Sequence, residues 1–183
     1  GIFMKQLKHY TIIGILFVLI TGVLAHFLYQ WSGNNRIVGY FTPINESIWE
    51  HMKLLFFPML LYAVFIILKF RENYPCIATS LYFGIIAGTL LIPVFYYAYT
   101  YLLGKDFFVL DIATFILSIL IAFWSSYQLT LHCKLQDYCW LLRIFVCVLF
   151  LCFIIFTDYP PNLEIFKDPT IVPPLGYNTC SVI

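Results

Sequence analysis

Glu46, Glu50 and His51 offer chemistry by type and spacing, and they stand within six consecutive positions. Two carboxylates four residues apart can share a proton or bind a hard cation, and an imidazole suits zinc, iron or proton transfer. They belong to the stretch Phe41-Thr42-Pro43-Ile44-Asn45-Glu46-Ser47-Ile48-Trp49-Glu50-His51-Met52-Lys53, which lies between long apolar runs. A polar cluster beside membrane-spanning segments is costly unless partnered, which makes it the place to look for function. Glu-x-x-x-Glu-His is not the two-histidine zinc signature, so a complete metal site needs donors from other helices. His26 and Asp111 are the available ones. On this reading Glu46, Glu50 and His51 are the catalytic candidates. A divalent metal would be held by His26, Glu46, Glu50, His51 and Asp111. Asn45, Trp49, Tyr96 and Tyr97 are the candidate substrate contacts.

Plainer uses of the same residues stay open. Ser47-x-x-Glu50 is a capping-box pattern ahead of an apolar run, and Thr42 with Pro43 at the first helical position is an alternative start. Glu46 and Glu50 share a helix face if the helix begins by Asn45, and Lys53 near that face could neutralise one of them. His26 could bond a carbonyl at a helix end, and Asp111 could be a carboxylate at the start of a span. The tyrosines from Tyr96 to Tyr101 suit an interfacial belt as well as a substrate wall.

The elements that must position these residues are apolar. The sequence is 62% hydrophobic and 10% charged, whereas soluble domains carry roughly 25% charge, so this chain cannot cover itself with a water-facing surface. A helix needs roughly 20 apolar residues to cross a bilayer, and five runs qualify. They extend from about Tyr10 to Trp31, Ser47 to Lys69, Pro75 to Leu103, Phe108 to Leu131, and Tyr138 to Thr157. The expected fold is all-α, an up-and-down bundle of five transmembrane helices followed by an irregular Pro-rich tail over 159–183. Gly1-Ile2-Phe3, ahead of Met4, reads as a leftover scar of expression and is set apart. The first run is too long for a signal-peptide core, so it is expected to stay as a span. Pro93 is expected to kink the third span.

The six cysteines form no Cys-x-x-Cys pair or zinc spacing, and they read as small apolar filler with only a redox role left open. The net charge of +1 gives no argument for nucleic acid. The expected partners are membrane lipids and a lipid-like or small-molecule ligand. Gly84 and Gly88 form a GxxxG match, usable as a helix-packing face or a homo-oligomer contact.

An up-and-down bundle gathers the polar groups at one end. His26, Glu46, Glu50, His51, Tyr96 to Tyr101, Asp111 and Asp158 share that end with the tail, which could fold over them as a lid. The other end takes the basic turns. With the N-terminus inside, Lys5, Lys8, Lys69, Arg71, Lys134 and Arg143 are cytoplasmic, against Arg36, Lys53, Lys105 and Lys167 outside. That count favours a cytoplasmic N-terminus and an outer C-terminus.

The string Pro43-Ile44-Asn45-Glu46-Ser47-Ile48-Trp49-Glu50-His51-Met52-Lys53, a P-x-N-E-S-x-W-E-H-x-K motif, resembles the hallmark of a family of small multi-pass prokaryotic membrane proteins. That family, mostly from Gram-positive anaerobes, is catalogued as a domain of unknown function. Tyr159-Pro160-Pro161 and Phe166-Lys167-Asp168-Pro169 are similar to its tail pattern. The resemblance covers nearly the whole chain and implies a multi-pass helical fold in a bacterial plasma membrane. It carries no activity with it.

Two function classes follow, with a third beside them. The first is a membrane-embedded, metal-dependent enzyme or ligand binder with a one-sided pocket for a lipid-linked or amphiphilic substrate. The second is a small proton- or cation-coupled transporter or channel using the same carboxylates. The third is a scaffold subunit. A transporter needs polar groups continuing to the opposite face, and the middles of the second, third and fifth runs are almost wholly apolar. That favours the one-sided site.

Overall fold

The computed structural model describes residues 2–171, so the remainder of the tail, with Pro173, Pro174 and Cys180, lies outside the described residues. Six α-helices follow one another: α1 (Ile2–Trp31), α2 (Arg36–Phe41), α3 (Ile48–Phe70), α4 (Ile77–Leu103), α5 (Phe108–His132) and α6 (Cys139–Asp158). Short 3₁₀ turns stand at Gln136–Tyr138 and Glu164–Phe166, and there is no strand among the described residues. Five helices are long and apolar enough to cross a membrane: Met4–Trp31, Ile48–Phe70, Ile77–Leu103, Phe108–His132 and Gln136–Asp158. Helix α1 takes in Ile2 and Phe3, which the sequence reading set apart.

Sequence reading did not anticipate α2, which lies in the polar connection after Trp31. Gly33 and Asn34 turn the chain with positive φ, and Asn35 then caps the new helix by accepting from the N–H groups of Ile37 and Val38. Thr42 ends α2 instead of starting the next helix, its hydroxyl donating to the Val38 carbonyl.

Helix α3 sits at the centre. Over half of its most apolar window is buried (56%), against 17% for α1 and α6, which leave most of their apolar surface facing outward. Leu55, Phe56 and Met59 of α3 meet Ile85 of α4, Ile119 of α5 and Phe153 of α6 in one core. Helices α4 and α5 approach closely. A methyl group on Gly88 would lie 2.7 Å from Ala122 Cβ and 3.1 Å from Leu55, and one on Gly84 would meet Ser126 and the Ala122 carbonyl. The Gly84/Gly88 face is therefore consumed inside the chain. This is the helix-packing use read from the GxxxG match.

The cysteine reading also needs correction. Cys76, just before α4, and Cys133, just after α5, are joined as a disulfide with their Cα atoms 5.5 Å apart. Fifty-seven residues separate them in sequence, and only the α4–α5 packing brings the two turns together. Cys139, Cys147 and Cys152 remain free thiols.

The alternation of helices gathers the C-terminal ends of α1, α4 and α6 with the N-terminal ends of α3 and α5. Contacts of His26 with His51, Tyr99 with Asp111, and Lys53 with Thr157 stitch that end together. Helix α2 and the Glu164–Phe166 turn cover it.

Candidate functional site

Ser47 is the N-cap of α3 and accepts from the Glu50 N–H at 3.3 Å. Only this half of the capping box forms. The Ser47 N–H goes to Asn45 Oδ1 at 2.9 Å, and the Glu50 carboxylate turns elsewhere. Because α3 begins at Ile48, Glu46 lies in the preceding turn. Glu46 and Glu50 therefore do not share a helix face, contrary to the spacing argument.

One turn into α3, His51 is held by Ser47. Its Nδ1 lies 2.9 Å from the Ser47 carbonyl oxygen. A carbonyl only accepts, so Nδ1 carries the hydrogen and Nε2 is the nitrogen left to reach outward. That Nε2 lies 3.3 Å from Glu46 Oε2. From α1, His26 Nε2 approaches the same oxygen at 3.5 Å. One donor atom from each of the three residues falls within 4.8 Å of the others. The His51 imidazole holds the Glu46 carboxyl below the usual carboxylate range, with His26 adding to the effect against the opposing influence of burial. A neutral His51 presents a lone pair at Nε2 to a carboxylate lone pair, a contact that favours a cation between them, either a proton or a metal ion. His26 Nδ1 is buried with no hydrogen-bond partner among the described residues.

These three side chains line a cavity of about 320 Å³ between α1, α3, α4 and α5, which Tyr96 and Asp111 also line. Gly22, Leu54, Ile92 and Phe115 form its wall deeper in the bundle. A few convergent polar groups on a mostly apolar wall is the usual build of a small-molecule site. A methyl group on Gly22 would lie only 2.5 Å from the Phe115 ring, so α1 and α5 approach closely there.

Asp111 is brought to the cavity but not into the three-residue cluster, and the Tyr99 hydroxyl donates to it. Tyr96 lines the cavity and Tyr97 does not. Asn45 spends its side-chain oxygen on the turn. Trp49 points away, packing on Phe153, Phe166 and Phe156 with ring centroids 4.7, 4.8 and 5.6 Å off.

Glu50 is the main displacement from the expected site. Its Oε2 accepts from Lys53 Nζ at 2.5 Å and from the Ile44 N–H at 3.1 Å, and it does not line the cavity. Lys53 also donates to the Gly39 carbonyl at 3.0 Å and the Thr157 hydroxyl at 2.7 Å. All three ammonium hydrogens are thus used, on α2, α3 and α6. This pair is a fastener. At the outer edge, Arg36 and Tyr40 of α2 both donate to Asp158 at 2.8 Å.

Asp168 belongs to the site and was not singled out for it, although its tail pattern was. Its Oδ2 accepts the Glu46 N–H at 3.2 Å, while Oδ1 accepts the N–H and hydroxyl of Thr170. Burial opposes ionisation of Asp168, but these hydrogen bonds outweigh it and hold the carboxyl below its ordinary range. Pro169 and Thr170 consequently line the cavity. An acid just before Pro in a segment with apolar anchors was the available signal.

An all-helical bundle with a His-Glu-His cluster opening on a one-ended cavity is the class defined by fold and site. No curated protein and no solved structure matches the chain. It belongs to DUF6512, a family of unknown function that matches residues 2–172.

Proposed function

We propose that this protein is an integral membrane protein in which His26, Glu46 and His51 bind a divalent metal ion, and that it is an enzyme acting on the polar head of an amphiphile seated in the cavity. The observation that carries the reading is the spacing of the three donors. A tetrahedral ion bonded at about 2.0–2.1 Å spans ligand-to-ligand edges of roughly 3.3–3.4 Å. The two histidine nitrogens stand 3.3 and 3.5 Å from the shared carboxylate oxygen. Two histidines and one carboxylate leave a fourth position for water or substrate, the composition of catalytic rather than structural sites. The chemistry such a centre supplies is a nucleophilic hydroxide or a polarised head-group oxygen.

The chain's own residues supply the rest. The Ser47 carbonyl orients His51 through Nδ1, as an outer partner should for a ligating imidazole. Apolar walls exclude water from the deeper cavity and suit a chain rather than a soluble substrate. The one-sided placement favours an enzyme over a transporter. The buried Ser126 and Thr130 of α5 donate to carbonyls of their own helix, at 2.8 Å each, instead of extending a polar path. The charge count favours a cytoplasmic N-terminus, which sets the site at the outer face.

The test is elemental analysis of purified protein beside Glu46→Gln. We expect close to one transition-metal ion per chain in the native protein and loss of it in the variant. Metal-free protein after reconstitution with Zn²⁺, Mn²⁺ and Fe²⁺ would remove the metal centre and return the cluster to proton transfer.

A further inference from the structure

The cavity has a side as well as an end. Val23 and Phe27 of α1 and Phe108 and Ile112 of α5 line it, yet they are 55, 44, 78 and 44% exposed. They stand within the apolar segments long enough to span a membrane, so their outer surfaces face lipid if the bundle is inserted. Helices α1 and α5 meet closely at Gly22 and Phe115, which closes the gap on the side toward the bundle centre. Between that contact and the helix ends, the wall of the cavity is formed by side chains that are also outer surface.

The cavity's charge is one-sided too. Glu46, Asp106 and Asp111 line it, and no lysine or arginine among the described residues does. A divalent ion on the His26–Glu46–His51 cluster offsets only part of three carboxylates. An anionic head would meet uncompensated like charge, which costs affinity, whereas a cationic head is complementary.

We infer that the cavity takes a single-chain amphiphile with an amine or amino-alcohol head, its chain entering sideways from the bilayer between α1 and α5. This rests on the proposed membrane-embedded site. The chain lies along Val23, Phe27 and Ile112, and the head reaches the carboxylates beside the metal cluster. No soluble route is needed, because such a ligand is already dissolved in the lipid.

The test uses full-length protein in phosphatidylcholine nanodiscs, with two photoactivatable probes that carry a diazirine in the chain, a long-chain amino alcohol and a fatty acid. We expect the amino alcohol to crosslink to the α1 and α5 wall and hexadecylamine to compete it away. Val23→Trp/Ile112→Trp narrows the side entrance from lipid-facing positions. It should lower labelling by about tenfold, the effect of ~1.4 kcal/mol in binding, while metal content stays unchanged. Asp106→Asn, in an exposed loop, gives a second variant and should shift preference toward the fatty acid. Equal labelling by both probes, or undiminished labelling in the narrowed variant, would overturn the inference. Labelling as expected in protein that stays metal-free after reconstitution would sink the metal reading and leave the amphiphile site standing.

Discussion

Lys53 and Glu50, adjacent on the inner face of α3, form an ion pair sealed from solvent, 2.5 Å apart with side-chain exposures of 0 and 4%. One turn of helix thus carries a fastener on one side and His51, which faces Glu46, on the other. Four positions separate the carboxylate of this pair from the one at the cavity, Glu46. The consequence is that the two glutamates of the motif should fail differently when changed.

Glu50→Gln leaves the Lys53 ammonium buried without its counter-charge. Removing one partner of a buried pair costs about 3–5 kcal/mol, so this variant should lose monodispersity in detergent and melt well below the native protein. Glu50→Gln/Lys53→Met, which removes both charges, should recover much of the loss. A Glu50→Gln protein as stable as native would show that the pair is not a fastener.

Glu46 and His51 line the cavity with 43 and 27% of their side chains exposed, and their loss should spare the fold. Glu46→Gln and His51→Ala are expected to melt within about 1 kcal/mol of metal-free native protein, as changes away from the core do. Metal should then separate them. At a free concentration of about 100 times Kd, the ion should stabilise native protein by about 2.7 kcal/mol, and neither variant should respond.

The α4–α5 seam predicts a packing defect at a distance from the site. Gly88→Val places methyl groups against Ala122 and Leu55, where even an added Cβ would lie at 2.7 and 3.1 Å. Overpacking of this kind costs about 1–3 kcal/mol. Thermal unfolding should register the loss, while a residual folded fraction keeps its metal.

The tail is fastened at two points, Asp168 on the Glu46 N–H and Phe166 on Trp49. Asp168→Ala/Phe166→Ala should release it, so that limited proteolysis cleaves near Pro160–Pro161 several-fold faster than in native protein. Unchanged cleavage would mean that these contacts do not hold the segment down.

The Cys76–Cys133 bond closes a loop across the opposite end, beside Lys69, Arg71 and Lys134. Cys133→Ser should cost about 2–4 kcal/mol in purified protein, a loss that reductant reproduces. Alkylation in intact cells tests orientation at the same time. Disulfides persist on the oxidising side of a membrane. A bond found in cells would set that end outside and reverse the orientation read from six basic residues against four.

The sequence by itself determined the helical runs, because apolar length and the absence of charge are local properties. It also determined that the polar groups collect at one end, because long helices alternating in direction permit nothing else. The motif between Pro43 and Lys53 stood out for the same reason: charge beside an apolar run is visible without coordinates. Tertiary structure decided which of those charges meet. The start of α3 at Ile48 rotated Glu46 away from Glu50, since an Asn45–Ser47 turn and a one-sided cap replaced the earlier helix start. Lys53 found its partners on α2 and α6, and Cys76 found Cys133, through packing that no local pattern encodes. Asp168 reached Glu46 across 122 residues. A cluster assembled from α1, a turn and α3 depends on helix rotation to within a fraction of a turn, and core packing sets that rotation.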